Sequence, residues 1–76
     1  MSMDSGRPLL VQAQVVATRR AATRGHVLAP WEAGTRYPGG QQDWWARCSR
    51  CDGLVWVLGL EDGRGMIQDV PAGCEP

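Results

Sequence analysis

Cys48-Ser49-Arg50-Cys51-Asp52-Gly53 is the stretch whose reading decides the fold. Two cysteines with two residues between them bracket a turn and present both sulfurs to one ion. Backbone N–H groups inside such a turn hydrogen-bond to the sulfurs, and Arg50 adds a cation nearby. Gly53 is expected to take the positive φ by which the chain leaves the turn. Extending outward gives His26-x21-Cys48-x2-Cys51-x22-Cys74, which uses the single histidine and all three cysteines of the 76-residue chain. That spacing fits a closed, tetrahedral Cys3His site for one structural Zn2+ held by His26, Cys48, Cys51 and Cys74.

Other readings of the same residues stand beside it. Cys48 and Cys51 resemble a redox dithiol, although 76 residues are too few for the βαβ framework such a site needs. The lesser alternatives are His26 as a helix-end histidine bonding carbonyls, with Asp52, Asp69 or Glu75 as the fourth ligand, and Cys74 as a free thiol. A catalytic zinc keeps an open coordination position. Four protein ligands leave none, and the only histidine is already engaged, so the expectation is a protein that is not an enzyme and takes no small-molecule substrate.

A chain this short buries only about 60% of the surface its unfolded form exposes, and small scaffolds commonly need a staple. Three cysteines cannot all pair, no signal-like apolar run follows Met1, and the longest apolar stretch, Leu54 to Leu60, is far too short to span a bilayer. These features point to a cytoplasmic setting, where thiols stay reduced and bind metal.

Downstream of the turn, Leu54 to Leu60 reads as a strand with Leu54, Trp56, Leu58 and Leu60 on one face and Val55 and Val57 on the other. Both faces are apolar, so the strand is expected at the centre of the sheet. Asp62-Gly63 signals a hairpin, Met66 to Val70 the return strand, and Pro71-Ala72-Gly73 the path back to Cys74. Upstream, Trp44 to Cys48 reads as a strand, Val27-Leu28 as a short extended piece, and residues 33–42 as turn. Residues 1–7 are expected to form a flexible N-terminus. Residues 8–24 predict a helix opened by Pro8, rich in alanine and closed by Gly25 at C′. Val11-Gln12-Ala13-Gln14-Val15 also alternates as a strand would, and that alternative stays open here. The expected fold is a small α+β metal-bound domain over residues 8–76. An N-terminal helix packs on a three-stranded antiparallel zinc-ribbon-like sheet that occupies residues 25–76.

Arg24-Gly25-His26-Val27-Leu28, then Trp31, then Ala46-Arg47-Cys48-Ser49-Arg50-Cys51-Asp52-Gly53, and finally Cys74, resemble a known pattern. It belongs to small zinc-finger or zinc-ribbon-like proteins of actinobacteria and their phages, and the match covers residues 24–74. The resemblance implies metal binding. One departure lies in the turn, where those proteins place glycine directly after the second cysteine and this chain has Asp52.

Charge and aromatics bear on what the chain binds. Eight arginines balance eight acids with no lysine. Arg7, Arg19, Arg20 and Arg24 face only Asp4 within residues 1–30, and the remainder is net acidic. Four tryptophans are expected around the metal and beneath the helix, with Trp56 in the core. Trp44 and Trp45, being adjacent on a strand, must point to opposite faces. Three functions follow in order of preference. The first is a protein-binding module, as in a phage or host regulator, docking through the Leu9–Val16 surface and an exposed tryptophan. The second is a nucleic-acid-binding zinc module using Arg19, Arg20, Arg24, Arg36, Arg47 and Arg50. The third is a redox or metal-handling protein. Candidate partner-binding residues are Trp44, Trp45, Arg19, Arg20, Arg24 and Arg50. The balanced charge argues against the second as a stand-alone binder, because counterion release needs clustered cations.

Overall fold

Helix α1 spans Leu10–Thr23 in the computed structural model, which describes residues 7–74. The strand-like alternation at Val11–Val15 is therefore overridden. The cause is a ridge of small residues: Ala13, Ala17 and Ala21, each one turn apart, are fully buried and carry the helix onto the sheet. Leu9, Val11, Val15 and Val16 are left exposed. The helix begins two residues later than expected. Pro8 and Leu9 are instead drawn onto the hairpin, where Gly65 N–H donates to the Pro8 carbonyl at 2.9 Å and Leu10 N–H donates to that of Gly63 at 3.0 Å. The Gln12 side chain accepts from Leu9 N–H at 3.0 Å, satisfying one donor at the helix entry. Residues 1–6, and with them nearly all of the expected flexible N-terminus, lie outside the described residues.

Four antiparallel strands follow in the order β1-β2-β3-β4: β1 Glu32–Arg36, β2 Gln42–Arg47, β3 Leu54–Gly59 and β4 Gly65–Asp69. The expected count of three is corrected by β1, which lies in residues read as turn. Only Pro38 to Gln41 makes the turn, closed by Tyr37 N–H on the Gln41 carbonyl at 2.8 Å, with Gly40 at φ 90°. β1 is an exposed edge strand with a register irregularity between Ala33 and Arg36 and no apolar alternation, so its side chains give no signal. Backbone pairing to β2 holds it. Gly34 fits because a Cβ there would meet Asp43 Cβ and Trp45 Cδ1, each at 3.3 Å.

β3 is central, as its two apolar faces require. Val55 and Val57 meet the alanine ridge, with Leu10, Leu28, Trp31, Ile67 and Val70 around them. Trp56 is paired with Trp45 across β2–β3. Strand alternation sets both on the face away from α1, half-buried, which corrects the expectation of Trp56 in the helix-covered core. Trp31 is the tryptophan packed against that core, its indole N–H donating to Thr18 Oγ1 at 3.3 Å. The Asp62-Gly63 hairpin forms as read, with Gly63 at φ 87°. The apolar core is slight: the largest fully buried side chains are Val55, Val57 and Cys48.

Candidate metal centre

The end of α1 positions the first donor. Gly25 takes φ 89°, its N–H donates to the Ala22 carbonyl at 3.0 Å, and His26 N–H donates to that of Ala21 at 2.9 Å. This pair of bonds is a Schellman closure, which turns the chain sharply and leaves His26 as the first residue beyond it. The chain then runs antiparallel to the end of β2. Leu28 bridges Cys48, Ala29 N–H donates to the Arg47 carbonyl at 2.8 Å, and Ser49 N–H to that of Val27 at 2.9 Å. His26 is thereby fixed beside Cys48 and is only 4% exposed.

Within the turn, Cys48 N–H donates to the Gly53 carbonyl at 2.8 Å, Asp52 N–H to that of Cys48 at 3.1 Å, and Arg50 N–H to Cys48 Sγ at 3.3 Å. The residue with positive φ is Asp52, at 61°, and not Gly53 as expected. Aspartate is among the few side chains that tolerate this region. Asp52 thus takes a left-handed position that glycine commonly fills. Gly53 has a different duty, because a Cβ on it would meet Pro71 Cγ at 3.2 Å and Cys51 Sγ at 3.3 Å. Its bare Cα lets the returning chain lie against the turn.

That returning chain is tied to the end of α1. The Arg24 guanidinium donates to the Val70 carbonyl at 2.9 Å and to that of Pro71 at 3.2 Å, and Cys74 N–H donates to the Arg24 carbonyl at 2.9 Å. Arg24, a candidate for partner binding, so closes the site from within.

The donor atoms of His26, Cys48, Cys51 and Cys74 all lie within 4.8 Å of one another. Cys48 Sγ and Cys74 Sγ are 3.7 Å apart, and Cys51 Sγ is 3.4 Å from His26 Nδ1. Two sulfurs bound tetrahedrally to one zinc would lie about 3.8 Å apart, whereas a disulfide needs about 2.05 Å. The three cysteines are free thiols. His26 Nε2 donates to the Ala72 carbonyl at 2.7 Å, which turns the Nδ1 lone pair toward the sulfurs. The four residues could hold one metal ion. Asp52 and Asp69 are not in this cluster, and Glu75 lies outside the described residues.

With protons alone in the cluster, its charges are strongly displaced. Hydrogen bonding to Cys48, then to the Ala72 carbonyl, raises the His26 pKa to about 9. Burial opposes a Cys48 thiolate, but the Arg50 N–H and the His26 side chain outweigh it and lower that thiol to about 5. Burial, then the neighbouring Cys51 and Cys48, push Cys74 up to about 12. With protons alone the cluster holds an imidazolium–thiolate pair between His26 and Cys48; a metal ion would have to displace those protons to take the four donors together.

Of the remaining candidates, Trp44 and Trp45 occupy opposite faces, Trp44 beside Leu10 and Trp45 beneath the Arg47 guanidinium at 5.9 Å from its ring centroid. Arg19 and Arg20 are exposed on α1, and Arg50 is exposed in the turn. Sequence reasoning missed the Ala72 carbonyl and the Arg24 clamp. Both are contacts across more than 40 positions, and neither residue type announces such a role. No helix among the described residues is long and apolar enough to cross a membrane. No protein-family model, curated protein or solved structure matches the chain.

Proposed function

We propose that this chain is a non-enzymatic module, built around one structural Zn2+, that acts by binding a protein partner. One observation carries it. The helix-covered core fully buries no side chain larger than those of two valines, while a half-buried His/Cys3 cluster of tetrahedral dimensions joins three separate segments. Three thiolates and an imidazole suit zinc, and a full ligand set suits a structural ion with no open position for substrate. The resemblance to zinc-ribbon-like proteins of actinobacteria and their phages supports the same assignment, and a regulator that docks on a larger assembly fits its size. The exposed Leu9, Val11, Val15 and Val16 leave apolar surface for such docking.

Nucleic-acid binding is the second reading, favoured by Trp45 and Trp56 on a bare sheet face, since bases stack on such rings. The acids Asp43 and Asp69 share that face through their pairing with Leu58 and Trp56. Arg24, Arg47 and Arg64 are engaged within the chain. A phosphate backbone would find few free cations there.

The test is metal analysis of protein purified without chelator, paired with cobalt substitution. One zinc per chain and thiolate-to-cobalt absorption of tetrahedral type are expected. A stoichiometry near zero in folded protein defeats the proposal. Binding to single-stranded DNA at low salt that weakens steeply as salt rises would favour the second reading.

A further inference from the structure

One rung of the sheet runs acid–tryptophan–tryptophan–acid across all four strands. Glu32 on β1 lies opposite Trp45 on β2, Trp45 opposite Trp56 on β3, and Trp56 opposite Asp69 on β4. Directly opposed residues point to the same side of a sheet, so this rung stands on the face away from α1. Asp69 keeps that side despite the register irregularity beside Trp56, because Ile67 before it and Val70 after it pack toward the helix-covered core. Trp31 places Glu32 in the same way by packing against that core. Asp43 joins the face two residues before Trp45, its carboxylate steadied by the Tyr37 hydroxyl, which donates at 2.6 Å. Glu32 and Asp69 are exposed, and both indoles are half-buried.

The basic side chains that could balance these acids can be counted completely. The chain has no lysine, and all eight arginines lie among the described residues. Residues 1–6 and 75–76 add two acids, Asp4 and Glu75, and no basic side chain. None of the eight arginines forms an ion pair with Glu32, Asp43 or Asp69. Arg24 is bound to the Val70 and Pro71 carbonyls, Arg64 is paired with Asp62, and Arg7 reaches toward Met66 Sδ at 3.9 Å. Arg47 belongs to this face by its place on β2, and its guanidinium lies 5.9 Å from the Trp45 ring centroid. Three carboxylates against that one guanidinium leave the ground around two tryptophans net negative.

We infer that this rung binds an arginine-bearing segment of a partner protein, the guanidinium stacking on the Trp45–Trp56 pair and drawn there by Glu32, Asp43 and Asp69. Indole is the ring that attracts cations most strongly, and flanking carboxylates deepen the attraction. A planar, weakly hydrated guanidinium suits both partners better than the compact ammonium of lysine. Arg47 is at once precedent and competitor. It sets a guanidinium over Trp45 within the chain, and its charge opposes a second one arriving from outside. A phosphate backbone is repelled by the same three acids. The inference rests on the reading of the chain as a zinc-held protein-binding module and names the residue type that module recognises.

The experiment uses the full zinc-loaded chain and follows the indole N–H signals of its four tryptophans by NMR. The probes are a short alternating glycine–arginine peptide blocked at both ends, its lysine and citrulline counterparts, and oligothymidylate, all at low salt. The arginine peptide should shift the Trp45 and Trp56 signals and leave those of Trp31 and Trp44, on the helix side, in place. The lysine peptide should bind more weakly, and the citrulline peptide, similar in shape but uncharged, should not bind. Glu32→Gln combined with Asp69→Asn, both at exposed positions, should weaken the arginine peptide by about tenfold. Arg47→Gln should strengthen it by about threefold, since a competing cation leaves the ring. Equal binding of the citrulline or lysine peptide, or a dispersed spectrum with one zinc and no shift at Trp45 and Trp56, overturns the inference and leaves the zinc module standing. Oligothymidylate binding that Arg47→Gln weakens overturns it in favour of nucleic acid. Signals that move with protein concentration in the absence of peptide overturn it in favour of a second copy of the chain. A metal-free, collapsed spectrum defeats the module reading itself and removes the face with it.

Discussion

The Nε2 of His26 and the carbonyl of Ala72, 2.7 Å apart, form the bond that decides which imidazole nitrogen is offered to the sulfurs. Ala72 belongs to the segment that also delivers Cys74, so one stretch of backbone supplies a ligand and orients another. In cadmium-substituted protein, scalar coupling to the metal should appear at Nδ1 of His26 and be absent at Nε2. Coupling through Nε2 would break the relation between these two residues.

On the proposed zinc assignment, removing the metal should unfold the chain. Apparent binding energies for structural zinc run to about 10–16 kcal/mol, comparable to the whole stability of a small domain. Excess chelator, or Cys48→Ser, should abolish a cooperative thermal transition. Acid should act in the same direction, because protons compete with the metal for thiolates and imidazole and affinity falls as pH falls. A sharp transition that survives chelation would show that the apolar core suffices.

Asp52 holds a left-handed backbone, at φ 61°, where glycine pays no Cβ penalty. Asp52→Gly should raise stability by up to about 1 kcal/mol, and Asp52→Val should lower it by about 1–2 kcal/mol. Denaturant midpoints of the zinc-loaded variants measure both. A destabilised glycine variant would assign the aspartate side chain a role beyond the turn.

Gly65 sits directly beneath the start of α1. A Cβ there would lie 2.9 Å from Leu10 Cα and 2.9 Å from Ala13 Cβ. Gly65→Ala should therefore cost about 1–3 kcal/mol, since backbone must move. Gly39→Ala, where a Cβ would meet nothing within 4 Å, is the control and should stay within about 0.5 kcal/mol.

Tyr37, the only tyrosine, donates its hydroxyl to Asp43 Oδ2 at 2.6 Å. That hydrogen bond raises its pKa above the usual 10.0. The folded value lies above the unfolded one, so the contribution to stability is complete below about pH 10 and fades as pH rises through the folded value. Tyrosinate absorbance should titrate late in the parent protein and return toward the ordinary value in Asp43→Asn.

Where side chains carried the information, the fold could be read in advance. The alanine-rich helix, its Gly25 closure, the Asp62-Gly63 hairpin and β3 with two apolar faces follow from spacing and residue type. So does the gathering of His26, Cys48, Cys51 and Cys74. β1 escaped because an exposed edge strand is held by backbone bonds that leave no mark on composition. The turn residue with positive φ was misplaced because Gly53, the natural choice, is needed for close approach to Pro71, leaving Asp52 to take the strain. The tryptophans misled for a related reason. Strand alternation gives the alanine ridge to Val55 and Val57, so Trp45 and Trp56 go to the far side while Trp31 and Trp44 stay on the helix side.

That methyl-only seam also governs how the sequence can drift. Any larger group at Ala13, Ala17 or Ala21 would pry the two layers apart and carry His26 away from the cysteines. Tolerated change is therefore channelled to the outward rows of the helix, around Val11, Val15 and Arg19, where new contacts can be tried without disturbing the four gathered donors.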